Sequence, residues 1–492
     1  MQSLRGCNIS LTFIPVLCQQ TELRMKQSYA KNSHNGYWRK LPLMASIAGL
    51  LFAAGCKKQD YPLPPGEVNK IKHVVVIYLE NHSFDNLYGS FPGANGLSDA
   101  RARNIIQVDS NDKPYKFLPA ISGTSAFPTN LANTFFNIDQ YIPNDQETPD
   151  VLHRYYQEQL QIDGGKMDKY ALYNTSQGLS QGYYKTNLLP LIGVARQYTL
   201  CDNFYHSAFG GSFLNHMWLI ASASPVFPNA PSGIVAKLDS KGNLITDGQV
   251  TPDGYVVNTS YTVNNPHPTS AAPSVLVPNQ TIPTIGDRLN EKKVSWAWYS
   301  GGWDSALAGH ADPTFQFHHQ PFAYFANYAD GTQGKKDHLK DEKEFITAAK
   351  AGTLPSVSFV KPLGINNEHP GYSDVENGES HTVELINDVL NGPNGKDVVI
   401  IVTYDENGGF WDHVAPPVID KKWGPGTRVP ALIVGPFAKR GYVDHTEYET
   451  VSILSLIEDR FGLNPLASRD KNANPLQNAF DFNLPKGGGY GK

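Results

Sequence analysis

Cysteine is scarce, with 4 in 492 residues, which excludes a disulfide-stapled scaffold. No CxxC or HExxH spacing occurs, nor a P-loop or a GxSxG elbow, so the chain lacks the usual signatures of zinc, nucleotide and α/β-hydrolase chemistry. Positive charge is not in excess: 41 Lys+Arg stand against 46 Asp+Glu, a formal net charge of −5. Such a chain lacks the electrostatic footprint of nucleic-acid binding. Internal repeats and low-complexity blocks are absent as well. What is present, 11% aromatic residues with 43 Gly and 35 Pro, suits a large globular core joined by long loops, where function commonly resides.

The charge is unevenly distributed. Residues 1–56 carry Arg5, Arg24, Lys26, Lys31, Arg39 and Lys40 against Glu22, leaving 35 bases and 45 acids for the remainder. Arg39 and Lys40 precede an apolar stretch over 41–55 that is too short to cross a bilayer, which takes about 20 residues. Its charged start, apolar middle and small-residue end are those of an export signal. The ending Ala53-Ala54-Gly55-Cys56 resembles a bacterial lipoprotein box, with Ala53 where Leu is usual, and implies cleavage before Cys56 and lipidation of its thiol. Met25 is an alternative start that would discard Cys7 and Cys18. Cys56 and Cys201 then remain, and with Cys56 acylated no intramolecular disulfide forms.

Residues 57–70 are polar and proline-containing and read as a tether. Beyond them, 72–79 and 397–404 are continuous β-branched runs, as in strands buried on both faces. Weaker strand signals lie at 294–299, 356–360 and 431–434, with helix signals at 380–390 and 451–461. Strands interleaved with helices predict an α/β fold whose mainly parallel sheet is covered on both faces. Residues 225–285, rich in Pro, Asn, Gly, Ser and Thr, read as a loop-rich insertion. The polar tail after 461 is expected to wrap the surface or fray.

Both strong strands end in oxygen-rich pairs, Glu80-Asn81 and Asp405-Glu406. Ligands bind outside the carboxyl ends of such strands, so the pairs are expected in one crevice, although 325 residues separate them. Carboxylates with an amide oxygen suit a hard divalent cation; solvated strand-end acids are the alternative, and composition does not choose between them. Gly210-Gly211-Ser212 reads as a turn feeding a helix, with Ser212 at its N-cap. A hydroxyl there is placed either to cap or, beside a metal, to attack phosphorus while the helix terminus holds an anion. Of 15 histidines, His153, His318, His319, His369 and His413 sit in turn-prone contexts from which imidazoles donate protons.

Six blocks together resemble one family: IKHVVVIYLENHSFDNLYGSFPG (71–93), DGGKMD (163–168), FGGSFLNHMWLIAS (209–222), HHQPFAYF (318–325), NEHPGYSD (367–374) and TYDENGGFWDHVAPP (403–417). It is the bacterial phosphoesterase family of non-haemolytic-type phospholipases C and related acid phosphatases. The resemblance implies an alkaline-phosphatase-like three-layer α/β/α sandwich. It implies one divalent metal ion held by Glu80, Asn81, Ser212, Asp405 and Glu406, with Ser212 as nucleophile. His153, His369 and His319, preferred to His318, are implied around the phosphoryl group, while Asn215 and His413 receive no role. Serine where the phospholipases usually have threonine, and a chain that stops about 80 residues after Glu406, lean toward the acid-phosphatase branch.

The division expected is a leader over 1–55, an anchor at Cys56, a tether over 57–70, a phosphoesterase domain over 71–484 and a flexible tail over 485–492. The activity expected is metal-dependent hydrolysis of phosphate esters through a phosphoserine, in an exported lipoprotein of the bacterial cell envelope, periplasmic or at the surface. Two rivals are a phospholipase C or phosphodiesterase acting on lipid head groups, and a surface lipoprotein that binds a phosphorylated ligand without turnover.

Overall fold

The two β-branched runs pair with each other at the centre of one sheet. The computed structural model of the chain describes residues 66–484; the leader, Cys56, the tether up to residue 65 and the tail from 485 lie outside the described residues. In chain order the sheet strands are β1 (His73–Leu79), β2 (Thr199–Cys201), β3 (Trp296–Ser300), β4 (Leu339–Asp341), β5 (Val357–Lys361), β6 (Val398–Tyr404), β7 (Ala431–Val434) and β8 (Tyr442–Asp444). Their spatial order is β8-β2-β7-β6-β1-β5-β3-β4. β7 runs against both of its neighbours, and the other seven strands share one direction.

Every residue of β6 is buried, and so is every residue of β1 except His73. Continuous rather than alternating burial means that both faces are covered, and two tyrosines identify the covers. Tyr78 donates its hydroxyl to Asn215 O (3.4 Å) on the helix Ser212–Ala221. Tyr404, level with Leu79 in the register, points to the opposite face and donates to Glu368 Oε2 (2.8 Å), against which Gly378 of the helix Val375–Asn391 packs closely. The architecture is therefore three layers, α/β/α.

The helices include α1 (Phe84–Tyr88), α2 (Tyr155–Ile162), α3 (Ser212–Ala221), α4 (Glu342–Ala351), α5 (Val375–Asn391) and α6 (Thr450–Phe461); others are Ile192–Gln197, Ile285–Glu291, Trp303–Leu307 and Gln333–His338, with shorter turns between. α5 starts where Asp374 accepts from Asn377 N–H, and it buries Val375, Thr382, Leu385, Ile386 and Val389, one stripe at helical spacing. α3 is buried along all ten residues, consistent with its apolar composition. Among the described residues no helix is long and apolar enough to cross a membrane.

Strands β2, β4 and β8 escaped the sequence reading because each is three residues long and offers no run. The insertion contains one two-stranded ribbon, Lys237–Leu238 with Leu244–Thr246. At the end of the tether Val68 is buried and Lys70 Nζ donates to Phe482 O (3.2 Å). The tail up to residue 484 thus docks against the start of the domain.

Candidate active site

Level strand ends create the site. Leu79 and Tyr404 are register partners, so the next residues, Glu80-Asn81 and Asp405-Glu406, emerge side by side. Asn81 takes a left-handed conformation (φ 68°), which asparagine tolerates better than most residues, and its N–H lies 3.4 Å from Asp405 Oδ1. All four side chains are buried.

Ser212 is brought to them by α3. Gly211 is the N-cap and Ser212 the first helical residue, which corrects the expectation that Ser212 caps the helix. Its hydroxyl makes no cap bond; it lies 3.3 Å from both Glu80 Oε2 and Asn81 Oδ1. Gly210 (φ 94°) permits the turn, for a Cβ there would stand 2.6 Å from Tyr155 N. Glu158 on α2 clamps the same turn: it accepts from Gly210 N–H (2.6 Å), His206 Nε2 (2.8 Å), and Thr427 N–H and Oγ1 (2.9 Å each). Asn215 closes it from the helix side, donating to Ala208 O (3.0 Å) and Gly210 O (3.1 Å).

Three of the five histidines singled out in the sequence reach the cluster. His153 and His369 each donate Nδ1–H to a backbone carbonyl, Val151 O at 2.5 Å and Pro370 O at 2.6 Å. That bond turns Nε2 inward, 3.3 Å from Asn81 Nδ2 for His153 and 3.8 Å from Glu80 Oε2 for His369. His319 Nε2 lies 2.5 Å from Glu80 Oε1, whereas His318 packs its ring against Phe213 and His319. His413 lies elsewhere: its Nδ1 meets Asp85 Oδ2 at 2.5 Å, beside Arg428, whose guanidinium bonds Asp412 at 2.9 and 3.1 Å. That network carries its own cation in Arg428.

Two residues in the cluster received no role from the sequence. Lys361, fully buried, places Nζ 2.7 Å from Glu80 Oε1 and 3.7 Å from Asp405 Oδ2. His216, in the block that follows Ser212, donates Nδ1–H to Ser212 O (2.7 Å) and stacks on His319. The legible signal was a lysine ending the apolar strand VSFVK, where a charge is costly unless paired.

The donor set fits a divalent cation. Asp405 Oδ2 is buried without a hydrogen bond. The Asn81 amide oxygen faces acceptors; the amide would have to turn over to donate to Glu406 Oε1 (2.8 Å), Asp405 Oδ1 (3.1 Å) and Glu80 Oε2 (3.2 Å). Oxygen aimed among oxygens is the orientation a cation between them requires. Burial and then the Glu80 charge push the Asp405 carboxyl well above its usual range, and burial and then Asp405 do the same to Glu406. Burial also opposes ionisation of Glu80, but His319 and Lys361 outweigh it and hold that carboxyl well below the usual range. Positive charge among the other two carboxylates would relieve their repulsion in the same way.

Residues 71–464 match the model of the Phosphoesterase family. The chain belongs to the Phosphoesterase family. Its name states the reaction class, hydrolysis of phosphoric esters, and every residue of the cluster falls inside the matched span. The chain is similar to the non-hemolytic phospholipase C of Pseudomonas aeruginosa, 23% identical over 466 residues, covering 85% of this chain and 58% of that protein. It is also similar to phospholipase C A of Mycobacterium tuberculosis, 25% identical over 472 residues, covering 86% of this chain and 79% of that protein. The Phosphoesterase-family chain thus spans a little over half the length of the Pseudomonas enzyme.

Among solved structures it is similar to a protein in the alkaline phosphatase superfamily from Vibrio parahaemolyticus (TM-score 0.32, 12% identity, 67% of this chain and 75% of that one). A lipoteichoic acid synthase, LtaP, from Listeria monocytogenes gives a TM-score of 0.33 at 10% identity, over 82% of this chain and 76% of that one. At scores this low the likenesses carry no argument about substrate or mechanism.

Proposed function

We propose that the chain is a metal-dependent phosphoric ester hydrolase that uses Ser212 as nucleophile and passes through a phosphoserine. The observation that carries this reading is the meeting of Ser212 Oγ with Glu80 and Asn81, 3.3 Å from each, at a helix N-terminus beside Asp405 and Glu406. Ser212 Oγ attacks phosphorus in line, and its bond to phosphorus forms as the bond to the leaving alcohol breaks. The first-turn N–H groups of α3 receive phosphoryl oxygens. His153 and His369, with Nε2 turned inward, donate to those oxygens when Nε2 is protonated as well as Nδ1; that proton passes to the leaving alkoxide and the one released by the Ser212 hydroxyl replaces it. Water then attacks the phosphoserine and restores the hydroxyl. A divalent ion held by Glu80, Asn81, Ser212, Asp405 and Glu406 would supply charge neutralisation and a more nucleophilic serine oxygen.

Ser212→Ala should abolish turnover of a chromogenic phosphate monoester without altering the circular dichroism or thermal midpoint. A variant that keeps the wild-type rate removes Ser212 from the mechanism. The names of the two relatives favour a second reading, a phosphodiester substrate in a phospholipid head group. Rates on the monoester and on phosphatidylcholine vesicles, measured side by side, decide between them. We further propose that the protein is exported and anchored through lipidated Cys56; a Cys56→Ser variant should lose incorporation of labelled palmitate, and undiminished labelling would refute the anchor.

A further inference from the structure

The two oxygens of Glu80 face different partners. Oε2 accepts from Ser212, whereas Oε1 lies 2.5 Å from His319 Nε2 and 2.7 Å from Lys361 Nζ. Glu80, His216 and His319 place one ligand atom each within 4.8 Å of one another, all three residues being buried. A carboxylate with two imidazoles is a donor set that suits zinc and similar ions. His216 Nδ1 donates to Ser212 O, and its Nε2 is buried without a hydrogen bond. This half of the cluster is thus built like a second metal seat that shares Glu80 with the first.

Lys361 competes for the same oxygen: its Nζ and His319 Nε2 both lie against Glu80 Oε1. The lysine ends β5, its Nζ donates to Leu79 O (3.3 Å), lies 5.2 Å over the Tyr78 ring and reaches Asp405 Oδ2 at 3.7 Å. Burying an ammonium is costly unless close negative charge offsets it, and here two carboxylates do so. Glu80, Asp405 and Glu406, when ionised, carry three negative charges, which one divalent ion and one ammonium neutralise.

We propose that Lys361 takes the place of a second cation beside Glu80, His216 and His319 and so limits the centre to one metal ion. This rests on the metal reading proposed above. The test strips the full-length protein with a chelator, titrates it with zinc, and measures bound zinc per chain after desalting together with the thermal midpoint. Wild type should bind one equivalent and stay folded when stripped. Lys361→Met should bind two, unfold at a lower temperature when stripped, and recover on adding zinc. Lys361→Gln, which keeps a donor without the charge, should do the same, and adding His216→Ala to Lys361→Met should return the count to one.

Two equivalents on wild type would overturn the proposal. So would one equivalent on both variants with an unchanged metal-free midpoint. Wild type that binds no zinc, manganese, magnesium or calcium defeats the metal reading itself, whatever the variants do. If neither variant is soluble, the wild-type count still decides, one equivalent supporting the proposal and two refuting it.

Discussion

Glu158→Gln changes one charge at nearly constant shape and acts on the turn that carries Ser212. Glu158 Oε1 accepts from His206 Nε2, Thr427 N–H and Thr427 Oγ1, and Oε2 accepts from Gly210 N–H. Glutamine has one acceptor oxygen, so if that oxygen serves the three donors, its NH2 must face Gly210 N–H, donor against donor. A lost bond to a charged acceptor costs about 1.5–3 kcal/mol and an unpaired buried donor about 1–3 kcal/mol, which together put the loss at about 2.5–6 kcal/mol. Urea unfolding followed by circular dichroism measures this directly. A domain in the middle of the usual range of about 5–15 kcal/mol survives it, so turnover remains measurable. Gly210 lies two residues before Ser212, and misplacing a reacting group by about 1 Å costs on the order of 10²-fold; kcat should fall while KM changes little.

The acid limb gives a second readout. Burial opposes ionisation of Glu158, but His206 and the amide donors overcome it and lower its carboxyl from the ordinary value of 4.5. With the folded value below the unfolded one, this stabilisation is complete above about pH 4.5 and is lost as pH falls through the folded value. The gap between wild type and variant should therefore narrow in acid. A stability loss under about 1 kcal/mol with an unaltered kcat would refute the clamp.

Asp405→Asn should lower bound metal per chain in elemental analysis, because it removes a buried carboxylate whose Oδ2 has no hydrogen bond; wild-type metal content would exclude Asp405 as a ligand. Glu379 on α5 carries the opposite pH signature, since burial pushes its carboxyl up to about 8. The folded state then keeps a proton that the unfolded chain releases from about pH 4.5 upward, so stability falls as pH rises through about 8, by up to about 5 kcal/mol. Glu379→Gln, whose amide oxygen can still accept from Leu191 N–H, should match wild type near pH 5 and exceed its thermal midpoint near pH 9. Parallel midpoints across that range would show that Glu379 is not the titrating group.

Long apolar runs were readable because burial on both faces of a central strand leaves little room for polar residues. That identified β1 and β6 and, through the residues following them, both oxygen-rich pairs. The Gly-rich turn was equally plain at Gly210 and Gly211, yet the cap assignment for Ser212 was off by one residue. Local pattern does not reveal that the hydroxyl prefers Glu80 and Asn81 to its own helix. Lys361 lay one residue beyond the strand as read, and His216 sat among apolar neighbours, where a core histidine and a site histidine look alike. Glu158, in a helix of mixed composition, gave no signal at all, because its partners Gly210 and Thr427 are 52 and 269 residues away.

The sequence by itself determined the strand-helix alternation, the oxygen-rich strand ends and the serine turn, since each is a short-range pattern fixed by burial or backbone geometry. Only the tertiary structure decided which ends stand level, that His319 rather than His318 meets Glu80, that His413 belongs with Asp85 and Arg428, and that a buried lysine sits among the carboxylates. Those outcomes depend on distances between segments hundreds of residues apart, set by sheet order and register, and one-dimensional spacing does not encode them.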